Sequence, residues 1–237
     1  MSILTDNIFF GIVISLLAFE GGLYLSRKTK LSLFNPLLIA ILSVIAFLIV
    51  FNIDFEKYNN GAQFINMFLG PATVILAVPL YKQINLLKEN FIPIIIGILI
   101  GSFVGIISVI LLCFMFGVEN VVTISLLAKS VTTPIGIEIT NQLGGLVPIT
   151  VLSIVISGIV GAVVGPLICK LFKIKNEIAV GVAIGTASHA LGTTKALEIG
   201  ETQGAMSSLS IGIAGLITVF LAPLCFNLLS NINLFAK

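Results

Sequence analysis

The sequence predicts an all-α polytopic membrane protein, with about seven transmembrane helices plus one re-entrant or broken segment. Three observations predict it. Apolar residues make up 58% of the 237 and charged residues 9%, with a mean hydropathy of +1.20; a soluble domain carries roughly 25% charge to solvate its surface. The uncharged stretches are long enough for helical spans of about 20 residues, which bounds this length at roughly eight spans. The lysines and arginines gather in groups between those stretches. This composition excludes a cytosolic enzyme, a disordered tail and a nucleic-acid binder, and it makes the lipid bilayer the first partner. With no room for a separate soluble domain, residues 1–237 read as a single integral membrane domain.

Segment 1 is Asn7–Phe19, extended past Glu20 to Ser26. No positive charge precedes it, and Arg27, Lys28 and Lys30 follow it. That order predicts a retained first span with its N-terminus outside rather than a cleaved signal peptide. Segment 2 is Leu31–Ile53, and segment 3, Tyr58–Tyr81, carries Gly70-Pro71 and Pro79. Segment 4 is Phe91–Val118. Segment 5, Asn120–Asn141, is interrupted by Lys129 and Glu138 and holds the patch Ser130-Val131-Thr132-Thr133-Pro134-Ile135-Gly136. Segment 6 is Ile139–Cys169. Segment 7, Ile178–Thr194, holds a second patch from Gly185 through Thr186, Ser188, His189, Gly192 and Thr193. Segment 8 is Thr202–Ala236. Polar, flexible patches inside apolar runs are tolerated at membrane depth only where protein or a wet cavity surrounds them.

The remaining positive groups are Lys82 and Lys88, then Lys170, Lys173 and Lys175, then Lys237. If all eight segments cross, the 170–175 group lands outside; if segment 5 enters and returns on one side, every group lands inside. The positive-inside rule selects the second arrangement, with the N-terminus outside and the C-terminus cytoplasmic. A shift of 56 residues lays Gly97–Glu138 on Ser153–Thr194, with Gly105 on Gly161, Cys113 on Cys169, Asn120 on Asn176 and Gly136 on Gly192. The two polar patches coincide in that register. Units 97–138 and 153–194 therefore read as an inverted repeat whose two discontinuous segments meet near the midplane; a register of 55, which lays Pro79 on Pro134 and Pro93 on Pro148, leaves the repeat boundary open, as does a re-entrant segment 7.

Broken segments expose unpaired N–H groups at half-helix ends, which attract a small anion such as a carboxylate. Hydroxyls add neutral donors without burying a fixed charge. The candidate substrate-binding residues are Lys129, Ser130, Thr132, Thr133, Thr186, Ser188, His189 and Thr193, with Gly70, Pro71, Pro134, Gly136, Gly185 and Gly192 as the breaks. The competing reading has each hydroxyl bonded back to its own helix or packed across to a neighbour. Lys129 pairs with an anionic substrate, snorkels to the surface, or pairs with Glu138. His189, the sole histidine, is a substrate ligand, a proton carrier or a satisfied core residue. Lys195 and Glu198 are spaced to pair on one helix face, and Glu201 reads as interfacial.

Catalytic patterns are absent: one histidine cannot form H-E-x-x-H, and no G-x-S-x-G, P-loop or C-x-x-C occurs. No enzyme activity, cofactor or metal is expected. Cys113, Cys169 and Cys225 lie in apolar runs without metal-ligand spacing and read as small core residues.

The stretches LGPATVILAVPLYKQ (Leu69–Gln83), AKSVTTPIGIEI (Ala128–Ile139) and AIGTASHALGTTKALEIGE (Ala183–Glu201) resemble the signatures of LrgB/CidB-type membrane proteins, and the resemblance covers nearly the whole chain. It implies a bacterial plasma-membrane protein working with a smaller LrgA/CidA-type membrane protein, and it leaves a homo-oligomer open. That family was first named for antiholin-like regulation of murein hydrolase export and autolysis. Similar domains in bacterial pyruvate-uptake systems and the plastid glycolate/glycerate transporter imply a small monocarboxylate substrate. The resemblance marks Lys129, Ser130, Thr132, Thr133, Pro134, Thr186, Ser188, His189, Gly192 and Thr193 as distinctive. Where the family often has Arg, this chain has Thr194 and Lys195, so any such charge would fall to Lys195 without bidentate geometry. The expected main activity is monocarboxylate transport; regulation of autolysis and a passive channel are the alternatives.

Overall fold

The computed structural model describes residues 7–29, 36–68, 71, 74–75 and 77–231. Among them the regular structure is helical throughout, without strands. Among the described residues, four helices are long and apolar enough to cross a membrane: Ile8–Thr29, Phe91–Met115, Val147–Leu171 and Glu201–Leu228. The chain divides into two compact units, 1–75 and 76–237.

In the first unit, α1 (Ile8–Thr29) is opened by Asn7, whose side-chain oxygen accepts the Phe9 N–H at 3.0 Å. Arg27 and Lys28 sit in its last turn, where the helix dipole favours positive charge. α2 is described over Pro36–Val50. Asn52 turns left-handed after it (φ 51°), and the Ile53 N–H reaches back to the Leu48 carbonyl at 2.9 Å. α3 (Phe55–Asn66) meets α1 at a glycine pair: a Cβ on Gly11 would collide with the Tyr58 carbonyl, and one on Gly61 with the Ile8 carbonyl. Backbone contact of this kind is how apolar helices associate in lipid. Ser15 Oγ lies 2.8 Å from Tyr58 Oη across the same seam.

Two expected spans differ in how much of their apolar run is described as one helix. The described part of α2 has 15 residues, about 22 Å at 1.5 Å per residue; residues 31–35 of its run lie outside the described residues. The run from Tyr58 to Tyr81 is not one helix. α3 stops at Asn66, and α4 (Ala77–Lys82) begins beyond it. Pro71 and Pro79 each lack the N–H that a continuous helix would use. Pro71 is helical and exposed, and Gly70 lies outside the described residues.

The second unit runs α4, α5 (Ile84–Glu89), α6 (Phe91–Met115), α7 (Asn120–Leu127), α8 (Thr133–Leu143), α9 (Val147–Leu171), α10 (Glu177–Ile199) and α11 (Glu201–Asn231). α6 buries Ile94, Ile98, Ser102, Ile106, Ile110 and Cys113, one helical stripe, and exposes Leu99, Ile100 and Phe103. That is the pattern of a helix with one face on protein and the other on hydrocarbon. α10 is the central element. It packs on α6, α9 and α11 and is buried on several sides. Gly181 and Gly185 bring its backbone against Gln203 and Ser207 of α11. Ile106, Ile110, Leu127, Val131, Ile139 and Ala222 join four elements in one core cluster.

The helix limits recur at one spacing. Each end of α9 lies 56 residues after the matching end of α6. The end of α10, Ile199, lies 56 after the end of α8, Leu143, and glycine follows each. Gly117 and Lys173, both left-handed after the first helix of each pair, share the spacing.

Candidate functional site

Segment 5 is two helices with a gap. α7 ends at Leu127, Thr132 is extended (φ −68°, ψ 150°), and α8 starts at Thr133 with proline in its first turn. Thr140 and Thr150, both buried, anchor α8 to α9 with their hydroxyl oxygens 2.7 Å apart. Ser125 Oγ accepts the Leu146 N–H at 2.7 Å.

Segment 7 is broken differently. α10 is helical on both sides of His189, which alone takes a left-handed backbone (φ 43°, ψ −139°). The ring Nε2 lies 2.9 Å from the Ile154 carbonyl. A carbonyl only accepts, so Nε2 carries the proton and a neutral ring leaves Nδ1 as the acceptor. Thr193 Oγ1 donates to the His189 carbonyl at 3.1 Å and pairs with Ser207 Oγ at 2.7 Å. Gly158 faces the imidazole, and Gly161 faces Ser188. At both glycines a Cβ would overlap those side chains.

The gap and the N-terminal half of α10 border an open-sided cavity of about 560 Å³ that α6 and α11 also line. Lys129 and Ser130 enter it from the gap, Thr186 from α10, Ser102 from α6 and Thr218 from α11. Asn90 and Asn176, at the starts of α6 and α10, also line it. Lys129 is half-buried and donates to Ser130 Oγ at 3.1 Å. Among the described residues the ion pairs are Lys82–Glu201 at 3.6 Å and Lys195–Glu198 at 2.7 Å; neither involves Lys129. Glu138 instead accepts from Gln142 at 3.0 Å. A lysine that lines a cavity in an apolar protein, without a carboxylate partner among the described residues, is chemically able to hold an anion there.

Of the eight expected site residues, the cavity brings together Lys129, Ser130 and Thr186. Thr132 and Thr133 are half-buried at the start of α8 and are not among its lining. Ser188, His189 and Thr193 are buried between α10 and its neighbours, outside the lining. Among the expected breaks, Gly136, Gly185 and Gly192 are buried, with Gly185 against Ser207 and Gly192 against Ser188; Pro134 is exposed. Ser102, Asn90, Asn176 and Thr218 were not among the expectations. The available signal was Ser102 standing among Gly97, Gly101 and Gly105, spaced by four on one face of an otherwise apolar helix.

A model of the LrgB-like family matches residues 15–228. The antiholin-like protein LrgB of Bacillus cereus (strain B4264) is 38% identical over 217 residues, covering 91% of this chain and 94% of that protein. The antiholin-like protein LrgB of Bacillus anthracis (strain A0248) matches to the same extent. No solved structure matches the chain. On a match spanning the helices of both units and the motifs at both breaks, the chain belongs to the LrgB-like family of membrane proteins.

Proposed function

We propose that this chain is an antiholin-like protein of a bacterial plasma membrane, regulating murein hydrolase export and autolysis together with a small LrgA/CidA-type membrane protein. The observation that carries this reading is the 38% identity to antiholin-like LrgB proteins across 94% of their length. Deleting the gene and restoring it in the host should change and then recover the rate of detergent-induced lysis. An unchanged lysis rate in the deletion strain overturns the reading.

One observation favours a second reading, carriage of a small monocarboxylate: the cavity is lined by Lys129, with no carboxylate partner among the described residues, and by Ser130 and Thr186. Pyruvate, glycolate and glycerate are the acids that the family resemblance suggests. Uptake of each labelled acid into proteoliposomes, with and without the partner, should be saturable and should show counter-transport. Flux without counter-transport indicates a channel, and no saturable flux for any of the acids overturns this reading.

The proposed topology has seven crossings, a re-entrant α7–α8, the N-terminus outside and the C-terminus cytoplasmic. The recurrence of helix limits at 56 residues supports two repeated units, and the lysine groups support their opposite orientation. In this frame the cavity end at Asn90 and Asn176 faces the cytoplasm. A membrane-impermeant thiol reagent should label Lys88→Cys and Lys173→Cys from that side alone.

A further inference from the structure

α6 and α9 end in the same turn, 56 residues apart. After α6, the N–H groups of Phe116, Gly117 and Val118 reach back to the carbonyls of Leu112, Phe114 and Cys113 at 3.0, 3.1 and 2.9 Å. After α9, those of Phe172, Lys173 and Ile174 reach Ile168, Lys170 and Cys169 at 2.9, 3.1 and 2.8 Å. The residue after the helix cap is left-handed in both, with φ 64° at Gly117 and 56° at Lys173. Both turns also expose large apolar side chains: Met115 and Phe116 at 76% and 78%, Leu171 and Phe172 at 76% and 71%. Charge separates them. Phe114, Gly117 and Glu119 of the first turn correspond to Lys170, Lys173 and Lys175 of the second.

The fold accounts for only one of these lysines. Lys170 lies in the last turn of α9, where the helix dipole favours a cation. Lys173 occupies a left-handed position that glycine takes without strain, as Gly117 does. The turn by itself is better served by glycine, so the ammonium group of Lys173 answers to something outside it. All three lysines are exposed, and no ion pair among the described residues includes them. The nearest carboxylate along the chain, Glu177, sits in the first turn of α10, where the dipole favours an anion. Asn176 Oδ1 accepts the Ala179 N–H there at 3.0 Å. The chain itself therefore caps α10, and the lysines are left for another partner.

α9 is long and apolar enough to cross a membrane, so the turn that closes it stands at a lipid–water boundary. Cationic and apolar side chains interleave in that turn, as Lys170, Leu171, Phe172, Lys173, Ile174 and Lys175. Apolar side chains enter the acyl boundary while long cationic stems keep their heads among the phosphates. A topology signal needs cations alone; it requires neither the exposed Leu171 and Phe172 nor a lysine in left-handed backbone. We infer that the 170–175 turn binds the headgroups of anionic phospholipids, with Lys170, Lys173 and Lys175 on the phosphates and Leu171, Phe172 and Ile174 among the upper acyl chains. None of these six residues lines the cavity, so the contact does not depend on what the cavity carries.

The sequence contains no tryptophan, so Phe172→Trp and Phe116→Trp each place a single fluorophore on one of the two turns. Each full-length variant is reconstituted in vesicles of phosphatidylcholine and phosphatidylglycerol in equal parts, with bromine on the chains of one lipid or the other. Quenching in Phe172→Trp should show phosphatidylglycerol enriched at least about fivefold over phosphatidylcholine, the worth of one lysine near an anionic surface. In Phe116→Trp the two lipids should quench alike. Adding Lys170→Gln, Lys173→Gln and Lys175→Gln to Phe172→Trp should remove the preference, as should about 1 M salt, whose screening length is about 3 Å. Lys173→Gly on the same background keeps the turn, so its thermal midpoint should equal or exceed that of Phe172→Trp while the preference falls. An equal preference at both turns, no preference in Phe172→Trp, or a preference that survives the loss of all three lysines overturns the inference. So does a lowered midpoint in Lys173→Gly, which would make the lysine a structural part of the turn.

Discussion

The break inside α10, at His189, lies 57 residues after the extended Thr132 that closes the break between α7 and α8, yet the two are held by different forces. The first is local. Leu127 ends one helix, the Lys129 N–H turns back to Leu126 at 3.2 Å, Thr132 is extended, and Pro134 starts the next helix without needing a donor. The second is imposed from outside. The residues flanking His189 are helical on both sides, and His189 alone is left-handed, pinned through its ring to Ile154 and wedged against Gly158. A break written in proline survives changes in its neighbours. A break written in packing is only as firm as the packing, and a non-glycine residue in that conformation stores about 1–3 kcal/mol that the surroundings must offset.

The largest effect should come from closing the space that holds the second break. Gly161→Leu drives a side chain into Ser188 and should cost about 3 kcal/mol, read as a large fall in the thermal midpoint in detergent. A midpoint near that of wild type would mean that the α9–α10 seam does not hold the break. His189→Ala comes next. It removes the ring bond to Ile154 while leaving a residue with a Cβ in the left-handed region, for a loss of about 2–3 kcal/mol. His189→Gly loses the same bond without the strain, so it should be the more stable of the two by about 1 kcal/mol; the reverse order would show that the backbone of α10 relaxes freely. If the chain is a carrier, His189→Ala should also lower flux about tenfold, by shifting the half-helix that bears Thr186 rather than by direct contact with the acid.

The first break should respond less. Thr150→Val removes the partner of Thr140, costing about 1 kcal/mol, and chemical unfolding should register it without any change in helix content. Pro134→Ala should be smallest, within about 1 kcal/mol of wild type, because the extended Thr132 and the left-handed cap at Gly144 remain. A loss from Pro134→Ala as large as that from His189→Ala would erase the distinction between the two breaks.

Much of this was legible in the sequence. The spans α1, α6, α9 and α11 were visible as apolar runs because lipid requires apolar length, and the 56-residue shift lays α6 on α9 limit for limit. The polar patches marked where helices would break, because Gly, Pro and clustered hydroxyls favour broken backbone over a lipid-facing helix. Lys129, Ser130 and Thr186 did converge. Thr133 and Thr193 were equally plausible by composition, but Thr133 begins a helix and Thr193 is consumed by Ser207 and the His189 carbonyl. Ser102 was hidden because a single serine in an apolar helix has the same appearance whether it bonds back or faces a cavity.

By itself, then, the sequence determined an all-helical chain of the bilayer, the positions of its charges and the places where its helices stop being regular. These follow from transfer energetics and local backbone chemistry, which act residue by residue. The tertiary structure alone decided which hydroxyls are satisfied and which, such as Ser102, Thr186 and Ser188, are buried without a partner among the described residues. It also decided that His189 holds the α9–α10 seam instead of lining the cavity. Those outcomes depend on which helix lies opposite each side chain, and no local pattern encodes that choice.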